Sequence, residues 1–243
     1  MTWLAVVLAP FVGSFLGVLI RRLPDGRPVV WGRSACEACG AVLGPAELLP
    51  VVSFLVQRGR CRRCGTRIAP AHLAVELAAT AVALAVVLVA DPEWVWWGCL
   101  LGWGLLAAAW IDADTFWLPD VIVLPLIPLG LLATWLLDRV SIVDHAAAAM
   151  LAWAALRGLA WSYARLRGRD GLGEGDAKLL AVGGAWLGLQ ALPWVLLTAA
   201  AAGLIWAGLM RLRGRAVNTA TMLPFGPPLA IAISVWWMIE YAG

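Results

Sequence analysis

The chain has 243 residues, of which 63% are hydrophobic and 14% charged, and it combines a mean hydropathy of +0.86 with a net charge of +3. A soluble globular domain is nearer half apolar and a quarter charged, so the composition excludes a soluble enzyme, a disordered tail and a disulfide-rich secreted module. The sequence therefore predicts an all-α integral membrane protein that crosses the bilayer several times.

Eight apolar segments follow one another along the chain, and most are long enough to cross a hydrocarbon core of about 30 Å as helices. We therefore expect a bundle of about eight transmembrane helices. The sixth segment is short and rich in glycine, which indicates either local thinning of the membrane or burial inside the bundle, with close approach of its neighbours. The segments cover residues 2–20, 73–90, 94–111, 118–137, 145–163, 177–192, 194–210 and 222–241.

The first segment is followed at once by two arginines and has no positively charged stretch before it, which predicts an uncleaved anchor rather than a signal peptide. The 50 or so residues after it form the one sizeable hydrophilic stretch of the sequence. We therefore predict three domains: a first transmembrane helix at 1–20, a cytosolic insert at 21–70, and a seven-helix catalytic bundle at 71–243.

The distribution of basic residues indicates the orientation. With the N-terminus outside, 16 of the 18 Lys and Arg residues fall on one side of the membrane, nine of them in the insert. Such a bias places these loops in the cytosol and, with eight spans, places both termini outside. Arg139 and Arg157 are the two exceptions. The other seven residues on the cytosolic side are Arg165, Arg167, Arg169, Lys178, Arg211, Arg213 and Arg215.

The insert contains two Cys-x-x-Cys pairs, Cys36 with Cys39 and Cys61 with Cys64, and a glycine follows each pair. Two such turns can hold four thiolates around a tetrahedral zinc ion, at Zn–S distances of about 2.3 Å. Disulfides are disfavoured in the cytosol, and a metal would stabilise an insert too small to build a core. We expect structural zinc, with redox-active pairs or unliganded thiols as the alternatives.

Carboxylates are scarce, and four of them stand at the predicted cytosolic ends of spans. Asp112, Asp114 and Asp120 lie in IDADTFWLPD (111–120), and Asp176 lies in GEGDAK (173–178). Two carboxylates held together in a poorly solvated site do not readily ionise together, so one can donate a proton while the other accepts one. Activation of water against a peptide bond needs that arrangement.

Spacing alone leaves alternatives open. Asp176 has the character of a helix N-cap, and Asp114 and Asp120 that of solvated boundary residues, with Asp120 capping the fourth helix. His72 and Glu76 at the start of the second segment are interpreted as boundary residues or a helix-packing pair. The competing functions are a proton-coupled small-solute transporter with the aspartates as relay groups, and a membrane scaffold that docks through the cysteine insert.

Considered together, these motifs carry a resemblance over nearly the whole chain. The sequence resembles the bacterial type IV prepilin peptidases, the leader peptidase/N-methyltransferases of the GxGD aspartic protease group. The matching strings are GSFL (13–16), RLP (22–24), the four-Cys insert, LPVVSFL (49–55), RGRC (58–61), VEL (75–77), DAD (112–114), LPD (118–120), GEGDAKLL (173–180), GAWLG (184–188) and PFGP (224–227).

The resemblance implies that Asp112 and Asp176 are the catalytic pair of an aspartic endopeptidase in the inner membrane. It implies hydrolysis of a short basic leader after a glycine, at the cytosolic face, in prepilin or pseudopilin substrates drawn from the lipid bilayer, with no nucleic-acid partner. It further implies S-adenosylmethionine-dependent methylation of the new N-terminus, at a site we expect where the insert joins the bundle. The residues expected to support the pair are Asp114, Asp120, Gly173, Gly175 and Lys178.

Overall fold

A computed structural model of the chain describes residues 2–138, 140–168, 173–213 and 223–242. Over these ranges the regular structure is helical apart from two isolated antiparallel bridges, so the all-α prediction is confirmed. Arg139, Arg169, Arg215 and the start of the eighth segment at 222 lie outside the described residues. The α-helices are α1 (Leu4–Arg22), α2 (Val52–Val56), α3 (Pro70–Val89), α4 (Val95–Thr115), α5 (Asp120–Leu137), α6 (Ile142–Arg167), α7 (Glu174–Leu187), α8 (Leu192–Leu212) and α9 (Gly226–Glu240).

Each of the eight apolar segments contains a helix, and six of these helices in the described ranges are long and apolar enough to cross a membrane: α1, α3, α4, α5, α6 and α8. The chain is a multi-pass membrane protein. The remaining two, α7 and α9, have 14 and 15 residues. At 1.5 Å per residue they extend only about 21 and 22 Å, less than the roughly 30 Å of a hydrocarbon core. The count of eight spans therefore stays a prediction.

The chain divides into two compact units, Met1–Trp103 and Gly104–Gly243, and α4 begins in the first and ends in the second. In the first unit α1 packs along α3. They approach closely at Gly13, where an added Cβ would come 2.6 Å from the Cα of Glu76. The insert connects these two helices and carries a one-turn 3-10 helix (Pro45–Leu48) and the short α2.

The second unit is built around α7, which packs against α5, α6, α8 and α9. Eleven of its 14 residues are buried. The short sixth segment is thus buried within a bundle, one of the two arrangements that its length and glycines predicted. The backbone of α7 lies close to that of α6 at Gly184, where an added Cβ would lie 2.6 Å from the Ala148 carbonyl carbon and the Ala149 nitrogen.

Two hydrogen bonds hold the C-terminal end of α7 in place. The indole N–H of Trp186 donates to the Leu126 carbonyl of α5 at 2.7 Å. The hydroxyl of Tyr241, the residue after α9, donates to the Trp186 carbonyl at 3.1 Å. The C-terminal ends of α7 and α9 therefore lie side by side, and the two short helices run in the same direction.

Substitution of Gly184 by Ala is expected to destabilise the second unit, because the new methyl group meets backbone atoms of α6 that no rotamer change can move aside. We expect a loss of more than about 1 kcal/mol and a lower melting temperature in detergent. Gly158 of α6 is the matched control, because an added Cβ there has nothing within 4 Å. Gly158→Ala should leave stability unchanged or raise it by up to about 1 kcal/mol. Equal melting temperatures for the two variants would contradict the packing argument.

Candidate functional site

Asp112 lies in the last turn of α4, just before the chain reverses into α5. The backbone N–H of Phe116 donates to the Asp112 carbonyl at 2.9 Å, and Phe116 has a φ of 56°. This left-handed conformation is rare for a residue with a side chain and turns the chain sharply. Pro119 then forms the N-cap of α5. The reversal leaves the Asp112 side chain buried, at 6% exposure.

Asp176 is the third residue of α7, and its N-cap is Gly173. The interpretation of Asp176 as the N-cap itself is therefore wrong, since the helix begins earlier. Its carboxylate nevertheless accepts a hydrogen bond from the Gly173 backbone N–H, as a residue at this position can. Gly175 faces the α4–α5 connection, because an added Cβ would come 2.7 Å from the Cβ of Leu118. The two aspartate motifs thus pack directly on each other.

Asp112 and Asp176 are brought together from these two motifs. Asp176 is 8% exposed, so both carboxyl groups are almost fully buried, and they are near enough to interact electrostatically. Burying one carboxylate is costly, and burying two beside each other favours a shared proton. Asp112 and Asp176, which the resemblance implied as a pair, therefore lie close together in the structure. Such a pair can act as general acid and general base.

A third element, α9, supplies a backbone hydrogen-bond donor to Asp112. The backbone N–H of Gly226 donates to Asp112 Oδ2 at 3.0 Å. Gly226 is the first residue of α9 and is followed by Pro227 and Pro228, which have no N–H. Gly226 therefore carries the one N–H that the first three residues of this helix can offer. An added Cβ at Gly226 would lie 2.6 Å from the same Asp112 oxygen, so a glycine is required there.

The helix ends give the site its electrostatic character. Asp176 lies in the first turn of α7, and Asp112 contacts the first residue of α9. Unpaired backbone N–H groups and the helix macrodipole make helix N-termini favourable places for negative charge. Two helix N-termini therefore face the two carboxyl groups.

Lys178 links α7 to α5 beside the pair. Its Nζ lies 2.8 and 3.0 Å from the two carboxylate oxygens of Asp120 and 3.6 Å from Glu174 Oε1. Arg157 of α6 lies 4.0 Å from Glu174. Asp120 is the first residue of α5 and Pro119 is the N-cap, so the interpretation of Asp120 as the capping residue is wrong, and its side chain pairs with Lys178 instead. Asp114 is exposed on α4.

The cysteine insert contains two turns of the same geometry. In the first, the Cys36 N–H donates to the Ala41 carbonyl and the Cys36 carbonyl accepts from Gly40, both at 2.9 Å. In the second, Cys61 makes the equivalent bonds with Thr66 and Gly65, again at 2.9 Å. Gly40 and Gly65 have φ values of 70° and 72°, which a glycine adopts without strain. Each turn therefore presents its two thiols to the same side.

The four sulfurs form one cluster. The ligand atoms of Cys36, Cys39, Cys61 and Cys64 all lie within 4.8 Å of one another, and the Cys36 and Cys64 sulfurs are 3.8 Å apart. A tetrahedral zinc ion with Zn–S bonds of about 2.3 Å requires sulfur separations of about 3.8 Å. The cluster thus has the donor type, number and spacing to bind a metal ion. The fifth cysteine, Cys99, is buried in α4.

The thiols of the cluster differ in acidity. Hydrogen bonds with the side chain and backbone of Thr66 lower the pKa of Cys64 to about 6, and the Cys39 backbone N–H lowers the pKa of Cys36. The pKa of Cys39 is raised to about 11, because the neighbouring sulfurs and burial outweigh the Ala41 backbone N–H, which favours its thiolate. Four adjacent thiols cannot all ionise beside one another without a cation. This cluster therefore favours a bound metal ion.

Sequence reasoning missed the part that Gly226 plays in the site. The PFGP string (224–227) carried part of the resemblance but had no assigned contact. The available signal was a glycine followed by two prolines at the start of an apolar segment, a pattern typical of the first turn of a helix. That pattern identifies an unpaired N–H, but only the packing of α9 shows that Asp112 accepts it.

Comparison with known proteins agrees with these motifs over most of the chain. Residues 7–90 match the Bacterial Peptidase A24 N-terminal domain, and residues 99–208 match the Type IV leader peptidase family. The chain is 37% identical over 262 residues to the Prepilin leader peptidase/N-methyltransferase of Aeromonas hydrophila, covering 96% of this chain and 90% of that protein.

Two further relatives carry the same name. The protein of Pseudomonas aeruginosa is 36% identical over 258 residues, covering 96% of this chain and 89% of that protein. The protein of Burkholderia pseudomallei is 37% identical over 259 residues, covering 93% of this chain and 81% of that protein. No solved structure matches the chain.

Proposed function

The chain belongs to the type IV leader peptidase family, and from this premise we propose that it is a membrane aspartic endopeptidase that removes the short basic leader of prepilin-like proteins. Cleavage takes place at the cytosolic face of the inner membrane, on prepilins or pseudopilins that reach the site within the bilayer. The observation that carries the proposal is the buried pair of Asp112 and Asp176. The transporter and scaffold alternatives are set aside, because family membership and this pair point to a peptidase.

The mechanism follows from a pair that shares one proton. The ionised carboxylate takes a proton from water, the resulting hydroxide attacks the scissile carbonyl carbon, and the protonated carboxyl donates to the carbonyl oxygen. Proton transfer to the leaving amine then breaks the C–N bond. The Gly226 N–H holds Asp112 through Oδ2, which leaves the other oxygen to face water. Gly173 holds Asp176 in the same way.

The supporting residues act on the position and charge of the pair. Lys178 joins α7 to the first residue of α5 through its ion pair with Asp120, which keeps the two motifs in register. Gly175 allows Leu118 to pack on the α7 backbone, so its role is packing between motifs as well as access for an extended substrate. Asp114 and Glu174 are exposed acids in the same motifs, available to a basic leader.

Incubation of the purified protein in detergent with a prepilin-like peptide tests the activity. We expect cleavage after the glycine at the end of the basic leader, detected by mass spectrometry. A peptide in which a bulky residue replaces that glycine serves as the control and should remain intact. Absence of cleavage by protein that is shown to be folded would refute the proposal.

Substitution of Gly226 by Ala is expected to reduce the cleavage rate at least tenfold while the protein still folds. The new methyl group would lie 2.6 Å from Asp112 Oδ2, so either the carboxyl group or the start of α9 must shift. A shift of about 1 Å at a catalytic group can cost on the order of a hundredfold in rate. Gly203→Ala in α8 is the control, because an added Cβ there has open space. Unchanged kcat in Gly226→Ala would contradict the role assigned to this contact.

We further propose that the four-Cys cluster binds one structural zinc ion and that the protein methylates the new N-terminus with S-adenosylmethionine. Four cysteines leave no open coordination position, so zinc would organise the insert and take no part in the chemistry. The names of the relatives include N-methyltransferase, which supports the second activity. In the proposed domain organisation, residues 21–70 form the zinc-binding insert and residues 71–243 form the peptidase bundle.

The proposed topology has eight spans, with α7 and α9 completing the set, and both termini outside. Reporter fusions within the insert and after Arg213 should report the cytosol, and a fusion after Gly243 should report the outside. The reason is the placement of 16 of 18 basic residues on one side. A cytosolic C-terminus would show that either α7 or α9 does not cross the membrane.

A further inference from the structure

The second unit contains a cavity of about 450 Å³ that the proposed peptidase mechanism does not use. It lies between the start of α6, the connection from α7 to α8 and the end of α9. Asp112 and Asp176 lie by the opposite ends of α7 and α9. Volumes of roughly 300–1,000 Å³ are typical of sites for small molecules. The cavity is therefore large enough to hold a ligand of its own.

The wall of this cavity carries negative charge. Asp144 and Glu240 line it, and no Lys or Arg does so within the part of the chain that the structure describes. Leu187 and Glu240 are also the last residues of α7 and α9, so two helix C-termini meet the cavity. Carbonyl groups at helix C-termini favour positive charge. The wall therefore favours a ligand that carries a cation.

His145 adds a buried hydrogen-bond acceptor to the wall. It is 7% exposed, and its Nδ1 lies 3.1 Å from both the Ala185 carbonyl and Thr134 Oγ1. A carbonyl oxygen only accepts, so Nδ1 carries the proton, and the Thr134 hydroxyl donates to the Gly130 carbonyl at 3.1 Å. In the neutral ring Nε2 is then an acceptor, and none of the described residues donates to it. A buried acceptor without a partner is costly, so an N–H group of a ligand would stabilise it.

Asp144 and His145 direct their acceptors to the same place. An added Cβ at Gly188 would meet Asp144 Oδ2 and would lie 3.2 Å from His145 Nε2. Asp144 Oδ2 is held there by the Leu189 N–H, which donates to it at 2.9 Å. A primary ammonium group has three N–H donors on one atom and can bond to both residues at once.

Two tryptophans give the cavity an aromatic wall. The rings of Trp194 and Trp236 have centroids 5.9 Å apart and planes inclined by 26°. The Trp236 indole N–H donates to Thr198 Oγ1 at 3.2 Å, and the Thr198 hydroxyl donates to the Trp194 carbonyl at 2.7 Å. The face of a tryptophan attracts cations, and tryptophan is enriched where helices meet the membrane surface. Trp194 is 53% exposed and Leu197, on the next turn of α8, is 60% exposed, so lipid lies beside the cavity.

We propose that this cavity binds the headgroup of a membrane phospholipid that ends in a primary amine, as phosphatidylethanolamine does. Its ammonium lies among Glu240, Asp144 and His145 Nε2, against the tryptophan wall. Its phosphate lies towards the start of α8, where the unpaired N–H groups of a helix N-terminus favour negative charge. The acyl chains extend along the exposed side of α8. The site is independent of the proposed peptidase chemistry.

The other occupants fit this cavity less well. Over the described ranges, only the four cysteines bring enough ligand atoms together to hold one metal ion. A quaternary ammonium would contact the tryptophans but has no N–H for His145 Nε2. A headgroup without an amine would bring only negative charge to two carboxylates. A soluble amine has no acyl chains to pack beside Leu197. A phospholipid with a primary amine meets all of these requirements.

The test measures lipid binding by the full-length protein in detergent, using native mass spectrometry. Phosphatidylethanolamine, phosphatidylcholine and phosphatidylglycerol with the same acyl chains are titrated separately. The Kd for phosphatidylethanolamine should be roughly tenfold lower than the other two, because only this headgroup makes charge-assisted hydrogen bonds to the wall. Free ethanolamine at millimolar concentration should not displace the bound lipid.

Glu240→Gln separates charge from shape. The Kd for phosphatidylethanolamine should rise about tenfold, whereas the Kd for phosphatidylglycerol should stay the same or fall, because a like charge has been removed. A general loss of structure would weaken both lipids. Glu93→Gln is the matched control, an exposed carboxylate outside the cavity that the proposed topology places on the same side of the membrane. Its Kd for phosphatidylethanolamine should be unchanged.

Trp194→Leu tests the aromatic wall. It should raise the Kd for phosphatidylethanolamine and for phosphatidylcholine by about threefold each, because both headgroups lose a cation–π contact. Trp194 is half exposed, so the variant should fold. Unchanged melting temperatures in lipid-free detergent should show that all three variants are folded.

Four outcomes would overturn the proposal. They are equal Kd values for phosphatidylethanolamine and phosphatidylglycerol, tighter binding of phosphatidylglycerol, and an unchanged Kd for phosphatidylethanolamine in Glu240→Gln. The fourth is displacement of the lipid by free ethanolamine, which would show that the cavity binds a soluble amine and not a phospholipid.

Discussion

Replacing Asp112 or Asp176 with Asn is expected to abolish leader cleavage, with a loss of at least a thousandfold in kcat. Asn keeps the shape of the side chain but neither gains nor loses a proton, and the proposed mechanism requires one group that accepts a proton and one that donates it. The double variant should be little worse than either single variant, because groups that act as a unit are not additive. The measurement is cleavage of a prepilin in reconstituted vesicles.

Asp114→Asn is the matched control, two residues from Asp112 on the same helix but exposed. Asp114→Asn should lower kcat for leader cleavage much less than either variant of the pair. Asp120→Asn should also have a small effect, because Lys178 keeps its contact with Glu174. Melting temperatures should show that all five variants fold. Near-normal cleavage by Asp112→Asn or Asp176→Asn would mean that the buried pair is structural.

Replacing Cys36 and Cys39 together with Ser is expected to unfold the insert and to lower the yield of protein sharply. The unmodified protein should carry about one zinc ion per chain, and the variant should carry none. Binding of a structural zinc ion is worth about 10–16 kcal/mol, and in a segment this small that energy is part of folding. The insert has almost no core of its own, because only Pro50, Gly59 and Cys61 are buried in residues 21–70.

Metal content is measured by mass spectrometry and order in the insert by limited proteolysis. Cys99→Ala is the control, because this buried cysteine lies outside the cluster and its variant should keep the full metal content. Freshly prepared protein without stoichiometric metal would contradict the prediction. Leader cleavage in the serine variant would show, in addition, whether the second unit works without an ordered insert.

The sequence was enough to predict the class of fold and the positions of the chemical groups. Scarcity made this possible: in a chain with 14% charged residues, each carboxylate near a span is conspicuous, and two Cys-x-x-Cys pairs are specific by themselves. The structure brings both sets together, the aspartates as a buried pair and the cysteines as one cluster. Their catalytic and metal-binding roles remain predictions.

The sequence could not predict where the helices around these groups begin and end, or which backbone groups contact the aspartates. Asp176 has the residue type of an N-cap, but α7 begins at Glu174 with Gly173 as its N-cap. Residue type alone therefore did not locate the start of this helix. Hydropathy likewise did not separate α7 and α9 from the longer spans, since a segment's apolar length includes residues outside its helix. The donor at Gly226 depends on a contact between distant parts of the chain.

The shortness of α7 and α9 has a consequence for how water meets a membrane-bound substrate. The two helices end together at the bond between Tyr241 and Trp186, and their opposite ends lie at the aspartates. If their common end lies at one membrane surface, about 8 or 9 Å of hydrocarbon thickness is left uncovered on the other side. Neighbouring helices surround α7, so protein and not lipid walls this depression. In that arrangement the aqueous phase would reach the two aspartates below the membrane surface, and a substrate helix would not have to be lifted out of the bilayer to be hydrolysed.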